Sequence, residues 1–286
     1  MVKRRKKKSR LFEVWRRLLK NKAAVVSLFI IIVIVVVAVF ADSIAPYPYD
    51  QQHRGQQFSS PSREHLLGAD RLGRDTLSRL IYGAAQSLQV GLIAVGLAAV
   101  FGIFIGAIAG YFGSWTDNVI MRLLDIYQSI PMFLLCVTLS AVLGPSLRNA
   151  IIALGLSLVP GFARQMRAAI LNVREMEYIE AARSINARNV RIIVKHIIPN
   201  SIAPLIVAIT MSIGHAIITG AGLSFIGLGV QPPSPEWGGM IADARNYMRG
   251  NPMLAVYPGI CVIITVLAFN LLGDGLRDAL DPRLKT

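Results

Sequence analysis

The stretch AAVVSLFIIIVIVVVAVFA, Ala23 to Ala41, runs for nineteen residues without a charged side chain. At about 1.5 Å per residue, a helix of that length crosses a hydrocarbon core of about 30 Å, so the run reads as a first transmembrane span. A cleaved signal peptide is the competing reading. Its apolar core would be about 7–15 residues long, and the Ala38 to Ala41 end is a poor small-residue cleavage site. The rest of the chain points to the same solvent: of 286 residues, 54% are hydrophobic and 16% charged, against about 45–50% and 25% in soluble domains. The net charge of +14 need not mean nucleic acid, and none is expected as a partner. Eleven of the thirty Lys and Arg lie in the first 22 residues, as expected of a terminus held on the cytoplasmic side of a membrane. A merely solvated charge run is compatible with that role.

Outward from this span, apolar segments recur at about 87–112, 119–143, 148–171, 201–229 and 256–276. The fold class expected is all-α and integral to the membrane, with six transmembrane helices and both termini cytoplasmic. Charge supports that orientation. Residues 162–200 hold seven basic against three acidic residues, and the tail carries Arg277, Arg283 and Lys285. Segments 42–86 and 230–255 are balanced, with five Arg against five acids and two Arg against two acids, and are placed outside. The layout is a basic N-terminal segment (1–22), a first span (23–41), an extracytoplasmic loop (42–86), a five-helix core (87–276) and a cytoplasmic tail (277–286). Cys136 and Cys261 both fall inside expected spans, as small apolar residues.

Gly102, Gly106 and Gly110 lie four apart on one face of the second span, so another helix backbone can approach there; a glycine-lined substrate path is the alternative. Pro131 and Pro160 interrupt the third and fourth spans. In the outer loop, Gly68 and Gly73 are followed by Asp75, placed to cap a helix starting at Thr76. Leu77, Leu80, Ile81 and Ala84 follow at helical spacing, which predicts an amphipathic helix lying on the outer face before the second span. Its Asp70, Arg74 and Asp75 form either a site or an ion-paired turn. Further on, Pro232, Pro233 and Pro235 end the fifth span near Leu228, and Trp237 fits the outer interface. Asp70, Arg74, Asp75, Gln231 and Trp237 are therefore candidates for an outer gate or a binding-protein contact, with interface anchoring as the alternative for Trp237.

Several chemistries are excluded. No glycine is followed by lysine, so no phosphate-binding loop of the G-x-x-x-x-G-K-[ST] kind exists and ATP hydrolysis by this chain alone is not expected. The four histidines lack zinc spacing, and no metal site is expected. Proton-coupled carriers keep carboxylates deep in the membrane, yet Asp125 and Asp274 lie near expected span ends, leaving His215 alone at mid-depth. A secondary carrier or channel is thus disfavoured. Thr210, Ser212, His215, Thr219 and Asn270 are polar positions on the last two spans that face either a pathway or a neighbouring helix.

Between the fourth and fifth spans stands EYIEAARSINARNVRIIVKHIIPN, Glu177 to Asn200. EYIEAARSI favours helix, NARN offers a turn, VRIIVKHII repeats apolar residues at Val190, Ile193, Val194 and Ile197, and Pro199 is expected to end the second helix. The other face shows Glu180, Arg183, Arg188, Arg191 and Lys195. A charged connector would need only a few residues; patterned structure on this scale suits a docking surface. The run resembles the EAA loop of bacterial ABC-transporter permease subunits, matching at Glu180, Ala181 and Ala182, and at His196, Pro199 and Asn200. The family's glycine is Asn186 here, which can adopt the same positive-φ turn.

HLLGADRLGRDTLSRLIYGA (from His65), LSFIGLGVQPPSPEWGGMI (from Leu223) and LAFNLLGDGLRDALDPRLK (from Leu267) are similar to the C-type permeases of dipeptide, oligopeptide, glutathione and nickel importers. That resemblance implies a second, related permease, two cytoplasmic ATPase subunits and an extracytoplasmic substrate-binding protein, with membrane lipid around the spans. It implies no cofactor on this chain, with ATP and Mg on the partner subunits. The residues implied to couple to the ATPase are Glu180, Ala181, Ala182, Asn186 and Arg183. The function expected is a non-catalytic permease in the bacterial inner membrane, importing short peptides, with nickel, glutathione or another small solute as the alternative.

Overall fold

The computed structural model describes residues 10–280, and regular structure among them is all helix with no named strand. The basic cluster before Arg10, and Arg283 and Lys285 of the tail, lie outside the described residues. Helix α1 (Arg10–Leu18) turns into α2 (Lys22–Val39), whose first turn is capped by Asn21 accepting the Ala24 N–H at 3.2 Å. α2 is apolar all round and largely exposed, as a lipid-facing span should be. The short α3 (Ala41–Ile44) closes it.

Helix α4 (Thr76–Phe112) is the axis of the molecule: 37 residues, roughly 55 Å. The sequence reading expected a surface helix followed by a separate span starting near residue 87. The structure has one uninterrupted helix instead, because Leu80, Ile81 and Ala84 bury against other helices of the chain rather than against a membrane surface. α5 (Ser114–Gln128) and α6 (Met132–Leu143) take the place of the third span and are bent 79° apart at the break before Met132. Pro131 thus breaks its segment, as Pro ahead of a helix start can. Pro160 does not: α7 (Leu147–Val173) continues through it, with Pro160 buried. After the hairpin come α11 (Ala203–Phe225), which ends slightly earlier than the expected Leu228, α12 (Trp237–Ala244) and α13 (Met253–Leu280). Four of the described helices are long and apolar enough to cross a membrane, five if the bent pair is one span.

The glycine stripe read from the sequence is a helix-packing seam. Side chains added at Gly102 and Gly106 would strike Phe162, Ala163 and Met166 of α7, and at Gly110 would meet Ile170 at 3.0 Å. Both numberings rise together, so α4 and α7 run parallel at backbone contact distance. Gly214 faces Val266 and Asn270 while Gly273 faces Met211, so α11 and α13 run antiparallel; Gly275 against Ala24 places the start of α2 at the last turns of α13. The starts of α2 and α11 and the ends of α4, α7 and α13 therefore share one end of the bundle.

Replacing Gly106 with Leu should disrupt the α4–α7 seam by about 1–3 kcal/mol of overpacking, read as a lowered unfolding temperature in detergent. Gly96, with nothing within 4 Å of its added carbon, should accept Leu with little change. Equal tolerance at both positions would contradict this packing.

Candidate functional sites at the two ends of the bundle

At the end where α4 and α7 finish, the chain folds into the hairpin. α8 (Glu177–Ser184) stops at Asn186, whose φ of 57° is left-handed. The Asn186 N–H donates to the Arg183 carbonyl at 2.8 Å and the Ala187 N–H to the Ala182 carbonyl at 3.2 Å, the paired bonds of a Schellman stop. Asn replaces the glycine of the EAA pattern without loss of the turn. The return arm is α9 (Asn189–Ile192), a π-helical turn (Ile193–Ile197) and α10 (Ile198–Ser201).

Two expectations change here. Pro199 does not end the arm; it sits in the first turn of α10, where its missing N–H costs little. The apolar face is also shifted: Ile192 and Ile197 are buried, whereas Val190 is 72% and Val194 57% exposed. A π turn takes more residues per revolution than the 3.6-residue period assumed, which rotates the face.

The hairpin's root is embedded. Ile179, Ala182, Ile192 and Ile197 join Ala107, Tyr111, Met166, Ile170 and Leu205 in one cluster linking α4, α7 and α11 to both arms. The Tyr111 hydroxyl donates to Asn189 Oδ1 at 2.8 Å, and the Arg183 guanidinium lies 5.3 Å from the Tyr111 ring centroid. Tyr111, Asn189 and Ile192 were not identified from sequence; only the phase of a π turn could have signalled Ile192. Ala182 is thus buried in this core. Glu180, Ala181 and Asn186 are exposed, as is Ile185 at 80%. Glu180 makes no ion pair among the described residues. The hairpin therefore combines a buried apolar root with an exposed tip of mixed apolar and charged residues.

About 50 Å away along α4, its other end carries a polar cap. Asp75 accepts the Ser78 N–H and Ser78 hydroxyl, each at 2.7 Å, and pairs with His65 Nδ1 at 2.8 Å. Asp70 accepts the N–H groups of Leu72 and Arg74 and the Arg74 Nε–H at 2.7 Å; Arg79 Nε lies 3.6 Å from it. Gly68 and Gly73, at φ 76° and 74°, turn the chain tightly through this cluster. Arg79 donates to the carbonyls of Tyr49 and Pro233, tying the loop before α4 to the proline segment.

Glu236 caps α12, accepting the Gly238 and Gly239 N–H groups and the Ser87 hydroxyl. The Trp237 ring is covered by the chain instead of facing lipid: it is 3% exposed, its indole N–H donating to the Leu80 carbonyl at 3.1 Å while its ring lies against Gly83. Among the five outer candidates, Arg74, Asp75 and Trp237 are buried and bonded within the chain, Asp70 is partly buried, and Gln231 is exposed.

The five pathway candidates also separate. The Thr210 and Thr219 hydroxyls donate to the carbonyls of Ile206 and His215, one helical turn back. Asn270 is half-buried beside Gly214, and Ser212 is half-buried. His215 alone among them is exposed, on the α11 face shared with Ile218 and Phe225.

Residues 102–286 match a family described as binding-protein-dependent transport system inner membrane component, and residues 9–61 match the N-terminal TM domain of oligopeptide transport permease C. The chain is 45% identical over 274 residues to a dipeptide transport system permease protein of Alkalihalophilus pseudofirmus, spanning 96% of this chain and 90% of that protein. It is 43% identical over 283 residues to a di/tripeptide transport system permease protein of Pseudomonas aeruginosa, at 97% and 93%. A glutathione transport system permease protein of Escherichia coli O157:H7 is 43% identical over 279 residues, at 96% and 90%. In structure, it is similar to a chain of the MetNI methionine ABC transporter in an inward-facing conformation, with TM-score 0.59, 20% sequence identity, and coverage of 71% of this chain and 96% of that one.

Substituting Asn186 with Gly should leave the hairpin intact, whereas Val at the same position, strained at positive φ by about 1–2 kcal/mol, should loosen it. Protease nicking within residues 177–200 reads the difference. Equal resistance of both variants would mean that the turn does not depend on Asn186.

Proposed function

We propose that this chain, which belongs to the binding-protein-dependent transport system inner membrane components, is the permease subunit of an ATP-driven importer of short peptides in the bacterial inner membrane. It forms half of the translocation pathway and is not itself the catalytic subunit. Dipeptide, di/tripeptide and glutathione permeases among its relatives act on one chemical class, since glutathione is itself a short peptide. ATPase subunits and a substrate-binding protein are its partners. A second, related permease completes the pathway, six crossings place both termini and the hairpin in the cytoplasm, and two ATPase chains bind the ATP and Mg.

The observation that carries the mechanism is the hairpin with its buried root and exposed tip. Glu180, Ala181, Ile185 and Asn186 are available to a groove on an ATPase, with Arg183 braced against Tyr111. Ile179, Ala182, Ile192 and Ile197 pass any displacement to α4, α7 and α11. Because close-packed interiors transmit displacement rather than absorb it, closing of the ATPases tilts helices and changes access to the pathway.

In the reconstituted complex with its binding protein, uptake should stop when ATP is withheld while ion gradients are kept. Glu180→Lys should lower uptake about tenfold, equivalent to about 1.4 kcal/mol of coupling, while the chain still inserts in the membrane. Uptake sustained by a gradient without ATP would overturn the importer reading; full activity of Glu180→Lys would overturn the role of Glu180.

A further inference from the structure

The face of α11 that exposes His215, Ile218 and Phe225 ends at the capped pole of the bundle in a polar cleft. The cleft is lined by the C-terminal turn of α11, the proline segment and the end of α12, and holds about 210 Å³. That is below the roughly 300 Å³ at which a pocket encloses a whole small ligand, so the cleft suits one end of an extended molecule. Four charged residues line it: Arg79, Glu236, Asp243 and Arg245. Three are already engaged. Arg79 is buried and donates to two carbonyls, Glu236 is buried and caps α12, and Asp243 lies 3.8 Å from Arg74. Arg245 is exposed, has no carboxylate partner among the described residues, and is held with its guanidinium 5.7 Å from the Phe225 ring centroid. Stacking on an aromatic face orients a guanidinium while leaving its N–H fork open to a carboxylate. The amide N–H groups of Gln231 are taken up by the carbonyls of Gly227 and Gly229, so the donor capacity left at the cleft is chiefly that of Arg245.

We infer that this cleft receives the C-terminal carboxylate of the transported peptide, with Arg245 as its ligand and Phe225 as the platform that aims it. The site lies at the pole opposite the coupling hairpin, in line with the exposed face of α11. The inference rests on the peptide-importer reading and names where in this chain the substrate is first held.

The test uses the full complex, reconstituted with its binding protein, and measures uptake of a labelled dipeptide as the loaded binding protein is titrated. Arg245→Gln should lower the maximal rate about fivefold to tenfold without changing the half-saturating binding-protein concentration, and Arg245→Lys should recover most of the rate. A dipeptide bearing a photoreactive C-terminal residue should crosslink within residues 224–245 in the unsubstituted chain and much less in Arg245→Gln. A raised half-saturating concentration at unchanged maximal rate would make Arg245 a docking contact for the binding protein and overturn the proposal. An unchanged titration with unchanged crosslinking would overturn it too, leaving the importer reading intact. Absence of peptide uptake by the unsubstituted complex would sink both.

Discussion

The seam between α4 and α7 is the contact on which the rest depends. Three glycines one helical turn apart bring two parallel helices to backbone distance, closer than any side chain would allow. In lipid no hydrophobic gain drives helices together, so close van der Waals contact does that work. Because the two helices are parallel, both end at the same pole, beneath the hairpin. There Ala107, Tyr111, Met166 and Ile170 supply most of the surface into which Ile179, Ala182, Ile192 and Ile197 are set. Spread that seam and the hairpin loses its footing.

The two poles are built on opposite physical terms. The hairpin pole has an apolar root and an exposed tip, so it is firm at its base and incomplete at its surface. At the capped pole, the buried and partly buried carboxylates are satisfied within the chain: Asp75 with Ser78 and His65, Asp70 with Arg74, and Glu236 with the first turn of α12. Buried polar groups are tolerable only when bonded in this way, and so bonded they hold loops rigid. The loop before α4 is therefore fitted onto this pole, with Arg79 joining it to the proline segment. Within the cleft where the proline segment meets the exposed face of α11, Arg245 is the charged lining residue with no carboxylate partner among the described residues. A continuous helix of roughly 55 Å connects the two poles.

Much of this was legible in the sequence because its signals are local. The uncharged run at Ala23–Ala41, the four-residue glycine spacing and Asp75 ahead of Thr76 each encode their structure through the geometry of one helix. The EAA-like triplet followed by Asn186 does so through the stop of one helix and the turn after it. Other features needed partners from distant parts of the chain. Trp237 has the chemistry of an interface residue, but Gly83 leaves a space for its ring and the Leu80 carbonyl accepts its N–H, so it is core. Leu80 and Ala84 belong to an amphipathic pattern that fits a membrane surface equally well until α12 and α13 are seen to cover them.

The sequence by itself determined the membrane solvent, the helical class, the family pattern and the left-handed turn at Asn186, since composition, length and single-residue backbone preferences act without reference to neighbours. Tertiary structure alone decided the parallel seam's register, the break at Pro131 against continuity at Pro160, and the rotated hairpin face set by a π turn. It also decided which polar side chains are consumed inside the chain and which, like Arg245, stay open. Those outcomes depend on contacts between residues far apart in the chain, and a local pattern cannot specify which of several complementary surfaces a helix will meet.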